Sequence, residues 1–517
     1  DIAQLTTSLV AARAWRNSLS RMTVGQVQAL QSFRDHMINL GKGSGKHANR
    51  FRAAARDAME QAQSAVPVWV MSISQVVETL PPEHNCFDVV IVDEASQADI
   101  TSSLLLWLAP RVIVVGDDKQ CAPVGLGGIT LDDTFARLDS HLPDLPHYLR
   151  DSLTPRSSLF SLLRSRFGHL IRLREHFRSM PEIIEFSSQQ FYSGAPLIPV
   201  RQFGADRLPP LRVVRVPEGT AVGQGAGLVN EAEAQAITNA VVDCMRDPAY
   251  DGLDFGVIVM QGTKQVEEIT ARLRAAMTDE QWRGRRVRVG TPPDFQGDER
   301  NVVFLSMVVS DPEAIAPLTR AESQRRVNVA ASRAMDQMWL MHSIELSSLK
   351  PTDLRASLLG YMLANQGALT EPMPTDVSDD VRVEPFETLF EQRVFNRLAA
   401  RGYHVTPKVV VNNRAIDLVV TGDDARMAVE CDGDEFQTTG EQARSVMERE
   451  QELRRCGWEF WRVRESEFEL DPEPALAGLW DALDRRGVKP GASATPSAIN
   501  VSRRTFSWAP IDLSAGD

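Results

Sequence analysis

Between about residues 67 and 345 the chain alternates short apolar, β-branched runs with stretches whose apolar positions recur every three to four residues. The runs are VWVM (68–71), DVVIVD (88–93), RVIVVG (111–116), LRVVRV (211–216), FGVIVM (255–260), VVFLSMVV (302–309) and MWLMH (338–342). Runs this short, apolar on both faces, predict buried parallel strands. Strand alternating with helix predicts doubly wound α/β sheets, whose ligands sit beyond the carboxyl ends of the strands. The stretch ANQGALTEPMPTDVSDD (364–380) breaks the pattern and reads as part of a linker. Beyond it, residues 386–403 have helical spacing, VVVNNRAIDLVV and RMAVECDG read as a hairpin, and helix and strand patterns continue through EFWRV. The expected organisation is 1–150, a first α/β domain with a helical insertion; 151–347, a second; 348–383, a linker; 384–490, a small α/β domain; and 491–517, a flexible tail.

Composition narrows the class. A chain of 517 residues exceeds what one core usually organises. No apolar run is long enough to span a bilayer. The five cysteines are scattered without a C-x-x-C pair, which argues against a disulfide framework or a structural zinc and for a cytoplasmic setting. A net charge of −13 gives no global case for nucleic-acid binding, which depends on local basic faces. The chain starts at Asp1, so a piece of a longer protein is expected.

Residues 41–46, GKGSGK, imitate a phosphate loop. A working loop needs G-x-x-x-x-G-K-[ST] after a buried strand. Here Leu40 stands at the first glycine position and His47 at the hydroxyl position, and helical spacing runs through both flanks. The expectation is a helix–helix connection whose basic residues Lys42, Lys46 and Arg50 touch nucleic-acid phosphates.

FDVVIVDEASQ (87–97) ends an apolar strand in Asp93 and Glu94, placed to hold Mg²⁺ and to orient an attacking water. GDDKQ (116–120) ends another and is expected to bring Asp117 and Gln120 to the same sheet edge. With these come LREHFRSMPEIIEFSSQQFY (173–192), VGTPPDFQGDERNVVFLSMV (289–308) and RRVNVAASRAMDQMWLMHS (325–343). The ordered set resembles motifs II to VI of the superfamily 1 helicases, in the branch that holds the nonsense-mediated-decay and Dna2-type helicases. The resemblance implies two RecA-like domains, the first incomplete, closing on ATP beside DNA or RNA. It implies that Asp93 and Glu94 serve Mg²⁺ and water, that Gln120 senses the γ-phosphate, and that Arg178 and Arg333 are arginine fingers. Asp117, Gly297 and Glu299 would serve the nucleotide and Gln296 the nucleic acid. The family's phosphate loop is expected upstream of Asp1, so this stretch alone should not hydrolyse ATP. Pro293 departs from the family, which carries an acid there.

The last domain brings a second chemistry. Asp417 lies in one strand, Glu430 and Asp432 share a face of the next, and Glu391 is on the preceding helix. Together they are expected to hold Mg²⁺ or Mn²⁺ for phosphodiester cleavage. FEQRVFNRLAARGYHV, IDLVV, AVECDGDEF and ELRRCGWEFWRVRESEF resemble the very-short-patch-repair branch of the PD-(D/E)xK nucleases. Asp432 stands where many relatives have lysine, and Phe436-Gln437 where the branch often has an aromatic–histidine pair. The combined expectation is an ATP-dependent helicase fused to an endonuclease, acting on nucleic acid, chiefly DNA, in repair or defence. The rival is a nucleic-acid-binding remnant with a degenerate nuclease fold.

Overall fold

A computed structural model describes residues 2–491 other than 42, 81–82, 124–130, 151, 155–156, 205–206, 311–315, 367–376, 412–413, 424, 434–449, 451–452 and 455–456. The chain forms two compact units, one of residues 1–117 and 123–168, the other of residues 118–122 and 169–517. Among the described residues, no helix is long and apolar enough to cross a membrane.

The first unit opens with helices Ile2–Arg21, Val24–Leu40 and Ala48–Ala62. Thr23 and Gln26 form a reciprocal capping box at the start of the second helix, and Gly41, at φ 54°, ends it with its N–H on Ile38 O. GKGSGK therefore joins two helices, as its flanks predict. Strands β1 (Val90–Val92) and β2 (Val112–Val114) pair in parallel. Val92 packs with Ala95, Leu105, Leu159 and Phe160, while Ile91 and Ile113 on the opposite face are 66% and 51% exposed. The expected strand at 68–71 does not form, and Val70 is 95% exposed. Pro67 has no N–H to donate, and Ser72 already caps the helix Ile73–Thr79. Four residues remain, and none pairs with a strand. The boundary expected at 150 moves to 168, because Leu159 and Phe160 join the core around Val92.

In the second unit, β3 (Glu175–His176) pairs in parallel with β4 (Ile198–Pro199). A five-stranded parallel sheet follows, built from β5 (Leu211–Arg215), β6 (Phe255–Val259), β7 (Arg288–Gly290), β8 (Arg300–Ser306) and β9 (Ala334–His342) in the order β5-β9-β8-β6-β7. Phe255, Val257 and Val259 face helices Glu231–Arg246 and Thr263–Ala276. Ile258, Val303, Leu305 and Leu340 face helices Pro181–Phe191, Ala321–Ala331 and Leu354–Asn365. Both sheet faces are thus covered, which is why these strands lack polar alternation. Helix Leu354–Asn365 corrects the expected linker: Leu354, Leu358, Leu359 and Met362 are buried in the sheet's core, so residues 348–365 belong to the domain.

The small domain of the same unit places helix Leu389–Ala400 before β10 (His404–Val411), β11 (Arg414–Thr421), β12 (Arg426–Asp432) and β13 (Phe460–Arg464), with helix Pro472–Arg486 after them. The sheet order is β10-β11-β12-β13, antiparallel except for the parallel pair β12–β13. Val200 of the preceding domain packs with Ile416, Val419, Ala428 and Trp458. The Arg426 guanidinium lies 3.7 Å from the Phe203 ring centroid and 4.5 Å from that of Trp458.

Candidate functional site

In the first unit, Asp93 and Glu94 follow β1 directly. Glu94 takes φ 50°, and its N–H donates to Asp93 Oδ1 at 2.9 Å, fixing the turn that carries both carboxylates. Gly116 follows β2. A Cβ there would stand 2.7 Å from Ser96 Oγ and 2.8 Å from the Phe160 ring, so only glycine lets the strand end approach. That approach allows Asp117 N to donate to Ser96 Oγ at 2.6 Å. Asp93 is exposed at the carboxyl end of a parallel strand, which suits a nucleotide's Mg²⁺ held through water.

The GDDKQ motif spans the boundary between the two units. Asp117 stays with β2, whereas residues 118–122 belong to the second unit. There Asn328 Nδ2 donates to Lys119 O at 2.8 Å and Gln296 Nε2 to Cys121 O at 3.5 Å. Arg333, 2% exposed just before β9, donates from Nη2 to Gln120 Oε1 at 3.3 Å and from Nε to Val329 O at 3.2 Å. Arg178 pairs with Glu299. His176 reports on both arginines: burial first, then the charges of Arg178 and Arg333, push it down to about 4, leaving it neutral to accept from Ser179 N at 3.1 Å. Gly297 takes φ 74° after Gln296. Next to Pro293, Asp294 closes the local turn: its Oδ2 accepts from Thr291 N and Oγ1, both at 2.7 Å.

In the loop at 41–46, Lys46 is exposed, as is Arg50 in the helix that follows, while Lys42 lies outside the described residues. Arg52 Nη2 ties Gly43 O to the following helix at 2.9 Å.

The endonuclease-like centre differs from the expected cage of four carboxylates. Glu391, 4% exposed, accepts from Glu387 N at 3.0 Å. Asp417 Oδ2 accepts from Cys431 N at 2.9 Å. Their remaining oxygens meet a residue that sequence reading missed: Lys408 Nζ donates to Asp417 Oδ1 at 2.9 Å and Glu391 Oε1 at 3.1 Å. Burial opposes the ammonium charge, but these two carboxylates outweigh it and raise Lys408 above the ordinary lysine range. Leu418 lies opposite Val429, so the same register brings Asp417 to Glu430. Asp432 is drawn away, with Arg462 Nη1 on its oxygens at 2.9 and 3.1 Å. Among the described residues, no three His, Cys, Asp or Glu side chains are grouped to hold a metal ion. Lys408 pairs with Glu391 and Asp417, and Arg462 with Asp432, so three of the four acids expected to hold Mg²⁺ are engaged by side-chain cations and, as arranged, do not present a free carboxylate cage to a metal. Phe436 and Gln437 lie outside the described residues. The signal that marks Lys408 is the hairpin itself, whose register sets residue 408 across from Asp417.

Residues 156–345 match a family described as an AAA domain, and residues 390–483 match the restriction-endonuclease family REase_MTES_1575. The chain is 23% identical to an uncharacterized ATP-dependent helicase, the MG140 homolog of Mycoplasma pneumoniae, over 81% of this chain and 38% of that one. It is 26% identical to the ATP-dependent helicase NAM7 of Saccharomyces cerevisiae, over 48% of this chain and 24% of the relative. With regulator of nonsense transcripts 1 of Dictyostelium discoideum it shares 24% identity, over 55% and 20%. The chain thus spans 38% or less of the length of these relatives.

Proposed function

We propose that this chain, which resembles the superfamily 1 helicases and carries a restriction-endonuclease-like domain behind the helicase-like core, is the motif II to VI portion of an ATP-driven motor. The motor moves on nucleic acid, chiefly DNA, and passes it to the endonuclease-like domain, in repair or in defence against foreign DNA. The observation that carries this reading is the contact of Arg333 with Gln120, which joins motifs VI and III on one side of the second unit. A guanidinium held there, with Arg178 of motif IV acting on the same imidazole, can neutralise charge that develops on a transferring phosphoryl group. Asp93 would hold the nucleotide's Mg²⁺, and Glu94 would orient water. Residues 1–517 contain no G-x-x-x-x-G-K-[ST] sequence, and by themselves they turn over no ATP. Phosphate release by this stretch that falls with Arg333→Ala would overturn that statement.

A second reading concerns the small domain, with Asp417 and Glu430 as the acids of its centre. Lys408 between the carboxylates favours a domain that grips the phosphodiester backbone without cutting it. Nicking of supercoiled plasmid in Mg²⁺ or Mn²⁺ decides between the two. Cleavage lost in Glu430→Ala supports the endonuclease, and its absence from the unaltered protein supports the clamp.

A further inference from the structure

We propose that Lys408 is the resident cation of the endonuclease-like centre: it occupies the space between Glu391 and Asp417, and a divalent metal reaches these acids only by displacing it. The inference rests on reading this domain as an endonuclease-like centre with Asp417 among its acids.

Three observations place the lysine there as more than a surface ion pair. The first is convergence. Glu391 is fixed from behind by Glu387 N and Asp417 by Cys431 N, at 3.0 and 2.9 Å, so each carboxylate turns an oxygen toward one point. Nζ of Lys408 is at that point, with Glu387 a third carboxylate at 3.4 Å. Its distances of 2.9 and 3.1 Å are those of charge-assisted hydrogen bonds, well beyond the roughly 2.0–2.1 Å of a magnesium–oxygen contact.

The second is backbone geometry. Pro407 pairs with Leu418 and Val409 with Ile416, so Lys408 falls across from Asp417. Lys408 itself takes φ 52° within β10. A non-glycine residue in the left-handed region costs on the order of 1–2 kcal/mol. Such a conformation persists where the surroundings over-determine it, and here the carboxylates around Nζ provide that constraint.

The third is burial. The side chains of Lys408 and Glu391 are only 12% and 5% exposed, so water cannot easily replace either partner. A buried carboxylate beside a second that is only 17% exposed favours a cation between them, and the chain supplies its own. Asp432 does not restore a metal cage, because Arg462 holds it and also pairs with Glu450 at 2.8 Å.

Calorimetric titration of Mn²⁺ into residues 1–517 tests the proposal, using unaltered protein, Lys408→Met and Lys408→Met/Asp417→Asn. Lys408→Met is expected to bind Mn²⁺ at least about tenfold more tightly, the scale on which one adjacent charge alters a proton's affinity. The double variant is expected to lose that gain. Binding by Lys408→Met no tighter than by the unaltered protein, or a gain that survives Asp417→Asn, overturns the proposal. Because Lys408→Met strands a buried carboxylate and can unfold the domain, amine acylation of the unaltered protein provides a second test. Mn²⁺ is expected to raise labelling of Lys408, and labelling unchanged across the titration overturns the proposal. Plasmid nicking in parallel separates this from the function: tighter Mn²⁺ binding by Lys408→Met without nicking by either protein removes the cutting activity and leaves the lysine's place intact.

Discussion

Arg333 donates to the side-chain oxygen of Gln120 at 3.3 Å across 213 positions of chain. Arg333 is 2% exposed and also bonds Val329 O and Ser332 Oγ, so its position is set by burial and three acceptors together. In a chain that also supplies a phosphate loop, Arg333→Ala is expected to lower kcat for ATP roughly 10³-fold or more, with KM changed far less. Arg333→Lys, which keeps the charge but loses the planar fork, should recover only a small part of that loss. Steady-state phosphate release measures both.

Glu233 makes stability depend on pH. Its carboxyl is fully buried, and burial pushes it up to about 7 despite hydrogen bonds from Ser306 Oγ at 2.7 Å and Val308 N at 2.8 Å. The folded state therefore holds this proton more tightly than the unfolded chain, whose carboxyl titrates near 4.5. The resulting stabilisation is complete below about pH 4.5 and is lost as pH rises through about 7, an effect on the order of 3 kcal/mol. Calorimetric melting across this window should show the second unit's Tm falling with pH from this group, and Glu233→Gln should flatten the slope.

Asp353 and Arg355 form a buried ion pair, with side chains 4% and 1% exposed and Nη2 to Oδ2 at 2.7 Å. Asp353 also accepts from Arg355 N and caps the helix Leu354–Asn365. Asp353→Ala should cost roughly 3–5 kcal/mol, because it leaves a buried guanidinium uncompensated. Asp353→Leu/Arg355→Met should cost less than Asp353→Ala alone. Urea denaturation of the three proteins gives the comparison.

Arg426 fastens the endonuclease-like domain to the helicase domain before it. Its guanidinium lies between Phe203 and Trp458 and donates to Gln202 Oε1 at 3.4 Å. Arg426→Ala removes two cation–π contacts worth roughly 2 kcal/mol when desolvated. Melting is expected to separate into two calorimetric transitions, with faster proteolysis near residues 198–204. A single unchanged transition would show that the apolar contacts of Val200 hold the domains together without it.

Much of the architecture was legible because its signals are local. The β-branched runs at 211–216, 255–260, 302–309 and 338–342 became strands of one parallel sheet, and strands 414–421 and 426–432 pair antiparallel as the hairpin expected there requires. VWVM had the right composition and failed, since a strand needs a partner and composition does not say whether one is there. Helix Leu354–Asn365 is hidden for the opposite reason: its eight buried residues give it little amphipathic contrast, so its sequence does not stand out from the linker that follows.

The sequence by itself determined the order of helicase motifs, the place of GKGSGK between two helices and the acids at 417 and 430 in neighbouring strands, because each depends on residue type and short spacing. Only the tertiary structure decided which charges meet. It joined Gln120 to Arg333 and left Asp117 with β2, set Arg178 on Glu299, put Lys408 between Glu391 and Asp417, and turned Asp432 to Arg462. Each carboxylate has several cations within reach of its type, and the choice among them follows from burial and strand register.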